Sequence, residues 1–576
     1  MAADEDAIWR EFFDDSDSDE DLFEGFMASD IDGEMDSEDF SESDVDVPTP
    51  GVSLSDSFED SWLPRFDKRT GVLLDTDGTE TAFEIFCKFL DEDFISMLTI
   101  QTNLYAEQYF EKHPKDTLPP CSTTRGWVPV VNTEMKSFLG ILLFMGAVKL
   151  PNYASYWSTN ALTQMKGFRE IMSRDRWQII WMFFHVCDNT TNLPRDHPNH
   201  DPTFKIHPVV DKLIERFRDI YYPEKELSVD ESLIAFKGRS SMGQYMPQKP
   251  HKWGLKAWVL CESSTGYCYN WFMYVGRKQN TEVGLTNSVV MQLCEVVKDA
   301  GHHVYMDNFF SSPQLFKDLS ECSVGACGTL RANRRGTPPQ IQRAKLKKGD
   351  DPMFVRDDKC LFIAWMDKKQ VNVLSTINNT RMMIKYIRCR DPANNNRREI
   401  NKPKAIECYN QFMGGVDLLD QKIWTYLGVH RTVKWWKKVF LYLLELAFVN
   451  FTVVWKRLHP GVKLDKYKLR LSIISSLVAT HDRATTAKPR YSIDDVPTRL
   501  ENKRHFTGIN NNKTKSGAQA FPDCVVCSDR KVPKGRHQTQ YICKQCDKPM
   551  CPYPCFERYH TLLSFKIQCT KDLHKE

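Results

Sequence analysis

The stretch "FMGGVDLLDQ", residues 412–421, places Asp417 and Asp420 three positions apart directly after a glycine pair. At helical spacing these carboxylates share one face, near an N-terminus whose partial positive charge favours ionised acids. Asp230 lies inside the strand-like "LSVDESLIAF", where apolar neighbours penalise an unpaired charge. Asp307 closes the run "HVYMD" and so falls at the carboxyl edge of its strand, where open α/β sheets bind ligands. Taken singly, each of these acids reads first as a solvated strand end or a helix cap. Taken together, oxygens converging from two strands and a helix suit hard divalent cations, Mg2+ or Mn2+, and a pair of such ions can clamp the attacking and leaving oxygens of a phosphodiester. The corresponding chemistry is phosphoryl transfer on nucleic acid, with water or a 3′-hydroxyl as nucleophile.

A second constellation lies near the C-terminus. Cys524 and Cys527 form one CxxC knuckle, and Cys543 and Cys546 form another after a 15-residue spacer. This is a strong zinc signature. Cys551, Cys555 and His560 bring the candidate ligands to seven, more than one tetrahedral site holds. Two Zn2+ ions in an interleaved arrangement are expected, with His537 or Cys569 as the eighth ligand. A segment this small lacks the apolar mass to fold on packing alone.

Basic residues with aromatic neighbours supply candidate contacts to a nucleic-acid backbone. "HRTVKWWKK" sets Arg431, Lys434, Lys437 and Lys438 beside Trp435, whose indole can stack on an unpaired base for roughly 1–3 kcal/mol. The runs "MPQKPHKWGLK" and "RANRRGTPPQ" contribute Lys249, Lys252, Lys256, Arg331, Arg334 and Arg335, and the cysteine-rich segment contributes Arg530, Lys531, Lys534 and Arg536. The bland alternative for each run is a solvated face.

The whole-chain balance supports a polyanionic partner. The net charge of +1 over 576 residues hides an asymmetry: residues 1–60 carry 23 Asp or Glu against the single Arg10, a net of −22, and the remainder is +23. Lys and Arg gain affinity for phosphates by releasing counterions, and an acidic tail can weaken or gate that binding. The tail's composition cannot offset chain entropy, so residues 1 to about 60 are expected to be disordered. The first thirty residues lack a basic start and an apolar run, which argues against secretion and for an intracellular protein. The best membrane-span candidate, Val439 to Trp455, is 17 residues long with Glu445 and Asn450 inside it, and reads as a buried helix rather than a span. No membrane partner is expected.

Elements that could position these residues follow from periodicity. Apolar spacings of three and four predict helices from about 80 to 220. Short β-rich runs broken by one helical stretch near 284–300 predict a mixed α/β sheet over 226–331. Residues 332 to about 400 read as a β-rich insertion, helical periodicity resumes near Cys408, and 480–520 reads as a polar linker.

The ordered motifs "SVDES", "YMDNFFSS", "GACGTLRANR", "YNQFMGGVDLLDQ", "RTVKWWKK" and the closing "CFERYH" resemble the piggyBac transposases over nearly the whole chain after about residue 80. The resemblance implies a multidomain α/β protein with an RNase H-like catalytic core, a β-rich insertion, flanking helical domains and a C-terminal cysteine-rich zinc-binding domain. The expected boundaries are an acidic region at 1–75 and a helical dimerisation and DNA-binding domain at 76–222. The core would occupy 223–331 and 403–425, around an insertion at 332–402. A helical DNA-binding and dimerisation segment would follow at 426–480, then a linker at 481–520 and the zinc domain at 521–576. By the same resemblance Asp230, Asp307 and Asp417 take the positions of catalytic aspartates and Asp420 that of an additional acidic residue. The implied activity is cut-and-paste transposition by a nuclear homodimer or higher oligomer, through hairpin ends into TTAA target DNA. A domesticated DNA-binding or chromatin-associated protein without catalysis is the competing expectation, and loss of a carboxylate would favour it. All four are present.

Overall fold

A computed structural model describes residues 62–479 and 505–566, apart from 77, 120–121, 248, 250, 277–283, 389–396, 429–431, 512, 514–516, 531–532, 534 and 563–564. The acidic tail, Arg431, Lys531, Lys534 and Cys569 lie outside the described residues. The described residues form two compact units, one within 62–149 and 175–479, the other within 150–174 and 505–566.

The first unit is built on a nine-stranded mixed sheet. Its strands are β1 (Glu226–Ala235), β2 (Gly243–Tyr245), β3 (Trp253–Glu262), β4 (Cys268–Met273), β5 (His303–Met306), β6 (Gly325–Thr329), β7 (Met353–Asp357), β8 (Cys360–Met366) and β9 (Gln370–Ser375). They run in the order β2-β3-β1-β5-β6-β9-β8-β7, with β4 also paired to β3. The pairs β1–β5 and β5–β6 are parallel and the others antiparallel. Parallel neighbours require a crossover. Between β5 and β6 it is the helix Pro313–Glu321, started by Ser312, whose side chain accepts from Leu315 N–H at 3.2 Å, with proline in the first helical position.

The β-rich run at 332–402 is present, but most of it is not a separate body. Strand β9 pairs with β6, Val373 opposite Thr329, so β7–β9 extend the central sheet. Only the hairpin of β10 (Met382–Arg388) and β11 (Arg397–Pro403) forms its own two-stranded sheet. The apolar face of β5, β6, β8 and β9, with Tyr305, Cys327, Leu361, Ile363 and Val373, buries against Ala405 and Ile406 of helix α1 (Lys404–Phe412). Helix α2 (Gly415–Tyr426) follows after a two-residue break and packs on β1 and β3 through Val416, Leu419 and Ile423.

The apolar run at the end of the sequence motif becomes helix α3 (Trp435–Leu458), long and apolar enough to cross a membrane by length and composition, with 94% of its most apolar window buried inside the protein. Its two polar interior residues have structural partners. The Glu445 carboxylate pairs with the Arg470 guanidinium of helix α4 (Lys466–Ala479), which is fully buried. Asn450 donates to Cys268 O and accepts from Cys268 N–H, both at 2.9 Å, so it closes off the backbone of β4. Helices before the sheet, including Ala82–Phe89, Asn132–Ala147 and His207–Ile220, surround α3 and α4.

Candidate metal centres and nucleic-acid interface

The register of two parallel strands sets the first site. Val229 of β1 pairs with Met306, the last residue of β5, and the next residue along the chain in each case is an aspartate, Asp230 and Asp307. Tyr305, two residues before Asp307, packs toward α1, so the two acids stand on the face that α1 and α2 cover. Asp307 is fixed from behind: its Oδ1 accepts Phe309 N–H at 2.9 Å and its carbonyl accepts the Ser311 hydroxyl at 2.8 Å. Asp230 Oδ1 accepts Glu231 N–H at 2.8 Å.

Helix α2 brings the other two acids to the same side of the sheet. Gly415 lies so close to β1 that a Cβ there would meet Ser228 Oγ at 2.3 Å and Glu262 O at 3.0 Å. That close approach explains the second glycine of the pair. Asp417, in the first turn, is exposed, while Asp420 is largely buried and accepts the Ser232 hydroxyl. The i, i+3 spacing therefore separates two environments on one helix rather than repeating one.

The electrostatics mark a crowded anionic centre. Burial raises Asp230 well above the usual carboxylate range, and the negative charges of Glu231 and Asp307 add to it. Asp307 is raised by burial, partly offset by the Phe309 N–H. Burial pushes Asp420 up to about 6, against the Ser232 hydrogen bond and Lys249. Among the described residues no cation lies within ion-pair distance of Asp230 or Asp307, while Lys256 lies 3.9 Å from the neighbouring Glu231. Hard, partly buried oxygen donors that form no ion pair among the described residues fit a divalent cation of the Mg2+ or Mn2+ type. The carboxylates are not a closed ligand cage: among the described residues the sets whose ligand atoms all lie within 4.8 Å of one another are the two cysteine and histidine sets of the second unit.

Several sequence candidates for DNA contact occupy other roles. Lys256 is not on a basic loop but within β3, largely buried, with its ammonium 4.1 Å from the Trp258 ring and 4.7 Å from that of Phe309. Lys437 is buried and donates to the carbonyls of Trp181 and Met182, so it closes a helix end rather than facing solvent. Its periodicity in α3, one residue after the buried Trp436, turns it inward. Lys438 is also drawn inward, its ammonium lowered by burial. Arg331 and Arg334 fold onto the loop after Asp307, Arg331 reaching Asn308 Oδ1 at 3.3 Å and Arg334 the carbonyls of Asn308 and Phe309. Lys249 donates to Glu231 O at 3.2 Å, which brings it to the edge of the carboxylate site. Lys252 and Arg335 are exposed, Lys434 and Trp435 half-buried.

In the second unit the cysteines and histidines form two sets of four: Cys524, Cys527, Cys551 and Cys555 in one, His505, Cys543, Cys546 and His560 in the other. Both fit tetrahedral zinc by donor type and number. His560 is oriented for it, its Nδ1 held 2.7 Å from Phe556 O and its Nε2 3.6 Å from Cys546 Sγ. Cys569 lies outside the described residues, and among the described ones the eighth candidate ligand is not His537 but His505, whose Nδ1 lies 3.4 Å from Cys546 Sγ and 3.6 Å from Cys543 Sγ. It belongs to a segment whose polarity reads as linker. Strand β12 (Thr507–Ile509) nevertheless pairs with β13 (Tyr541–Cys543), Thr507 opposite Cys543, and this register carries His505 to the knuckle. The zinc module thus begins before residue 521. Arg530 and Arg536 are exposed but both pair with Asp523, at 2.7 and 2.9 Å.

Comparison with known proteins agrees with this geometry. Residues 81–450 match a family described as Transposase IS4, and residues 501–561 match a DDE transposase-like zinc finger. The human PiggyBac transposable element-derived protein 3 is 27% identical over 495 residues, covering 84% of this chain and 76% of that protein. The human PiggyBac transposable element-derived protein 2 is 24% identical over 439 residues, 74% of this chain and 69% of that protein. A solved piggyBac transposase, in a synaptic complex with hairpin DNA, shares the fold with a TM-score of 0.63 at 22% identity, over 84% of this chain and 98% of that one.

Proposed function

Because the chain belongs to the piggyBac-type transposases of the Transposase IS4 family, we propose that it is an active cut-and-paste DNA transposase. In this reading it binds terminal inverted repeats, excises its element through hairpin ends and joins 3′-hydroxyls to TTAA target DNA. It works in the nucleus as a homodimer or higher oligomer. The observation that carries the reading is the register of β1 with β5, in which the paired residues Val229 and Met306 are each followed by an aspartate, Asp230 and Asp307, on the side of the sheet packed by the helix that bears Asp417 and Asp420.

Asp230, Asp307 and Asp417 would hold the divalent cations, Mg2+ or Mn2+, with Asp420 in support. Such ions, when bound, stabilise charge on the attacking and leaving oxygens of a phosphodiester. The protein's own part is positional. The Phe309 N–H and the Ser311 hydroxyl fix Asp307, and Arg331 and Arg334 stiffen the loop that follows it. Exposed Lys252 and Arg335 face solvent where a DNA backbone can reach them.

The test is cleavage of DNA carrying the terminal repeats that flank its own gene, by purified protein with Mg2+ or Mn2+. Asp307→Asn should abolish cleavage and retain binding, whereas equal cleavage by the variant would sink the metal assignment. The transposable element-derived names of the relatives favour one second reading, a domesticated DNA-binding protein. Repeat binding without cleavage by the wild-type protein would establish it.

A further inference from the structure

Tyr442 sits in the middle of α3, an apolar helix whose polar residues Glu445 and Asn450 already have structural partners. Its hydroxyl has a different address. It lies 2.9 Å from Ser232 Oγ, and Ser232 in turn donates to Asp420 Oδ1. Ser232 is fully buried, two residues beyond Asp230 in β1 and so on the same side of the sheet. Tyr442 is 1% exposed, and its ring packs 6.3 Å from that of Trp271.

The proton count fixes the direction of this chain. A serine hydroxyl carries one proton, and here Asp420 accepts it. Between Ser232 and Tyr442 the donor must then be the tyrosine. The order is Tyr442 O–H to Ser232 Oγ and Ser232 O–H to Asp420 Oδ1, with both hydroxyls out of water. A buried tyrosine hydroxyl left without a partner keeps its full desolvation penalty, which is a reason for the chain to be held intact.

We propose that Ser232 and Tyr442 are positioning residues that orient the Asp420 carboxylate through this two-hydroxyl relay. It ties one oxygen to the rigid core and leaves the other for a ligand. The proposal rests on reading Asp420 as part of the cation-binding carboxylate set. Groups just outside a ligand shell act in this way on metal affinity, typically by about 10–100-fold. The relay also links α3, whose first turn carries Trp435, to α2, so the two helices present their functional residues as one assembly.

A double-mutant cycle on the full-length protein tests the relay, read out first by Mn2+ binding followed by electron paramagnetic resonance of the free ion. Ser232→Ala should weaken Mn2+ binding by about 10-fold or more, Tyr442→Phe by less, and Ser232→Thr should restore it. In an Asp420→Asn background neither Ser232→Ala nor Tyr442→Phe should matter. Wild-type Mn2+ affinity in both variants, or losses that persist undiminished without the Asp420 carboxylate, would overturn the proposal. If Ser232→Ala does not fold, Tyr442→Phe keeps the ring and carries the cycle alone, with thermal melts as the folding control. Should the cycle close in Mn2+ binding while wild-type protein fails to cleave repeat DNA, the relay stands and the transposase reading falls.

Discussion

Asp230 and Asp307 follow the paired residues Val229 and Met306 of two parallel strands, so one register places two like charges side by side. Each is raised by burial, and Asp230 also by the charge of Asp307. An acid whose folded pKa lies above its unfolded value lends stability at low pH and loses it as pH rises through the folded value. At neutral pH without divalent metal, Asp230→Asn should therefore stabilise the protein. It should at the same time abolish Mg2+-dependent cleavage. Paired thermal melts and cleavage assays check both signs.

The glycine pair before α2 separates into one permissive and one forbidden position. A Cβ on Gly414 meets nothing within 4 Å, while one on Gly415 meets Ser228 Oγ at 2.3 Å. Gly414→Ala should be nearly silent. Gly415→Ala should lift the helix off β1, costing roughly 1–3 kcal/mol in denaturant melts and most of any cleavage.

Glu445 and Arg470 form a buried ion pair, and removing one partner strands the other charge. Glu445→Ala should destabilise by about 3–5 kcal/mol. Replacing both residues together with apolar ones of similar volume should cost far less, which chemical denaturation of the single and double variants distinguishes.

His302 is buried between Lys225 O and the Tyr222 hydroxyl, each 3.2 Å away, and burial lowers it to about 4. The unfolded chain protonates this histidine near 6.5 and the folded chain does not until about 4. Stability should therefore fall as pH drops through that window, with His302 contributing roughly 3 kcal/mol across it. His302→Gln should flatten that limb of a plot of melting temperature against pH.

His505 completes the second four-residue set. His505→Ala should lower the zinc content measured by atomic absorption below two ions per chain. His537→Ala should leave it unchanged. Equal zinc in both variants would return the eighth ligand to doubt.

How much of this was legible in the sequence depends on how local each cause is. Asp307 at a strand end and the α2 start at Gly415 rest on neighbouring residues, and both are found where periodicity puts them. The CxxC knuckles are local too. His505 escaped because its role comes from a pairing with residues more than thirty positions away, inside a polar stretch whose one signal was a lone histidine two residues before "TGI". Lys256 and Lys437 escaped for a related reason: a charge run looks alike whether its lysines meet solvent or lie over tryptophan rings. The union of β7–β9 with the core sheet likewise depends on strand pairing that no window of sequence displays.

The ligands of the two four-residue sets alternate along the chain, from His505 to Cys524 and Cys527, then Cys543 and Cys546, then Cys551 and Cys555, then His560. The span closed by one set therefore encloses ligands of the other, and ordering either removes much of the chain entropy that opposes its neighbour. Metal uptake at the two sets is then expected to be cooperative. A scarce zinc supply would then change how many molecules have a folded module, not how well each one works.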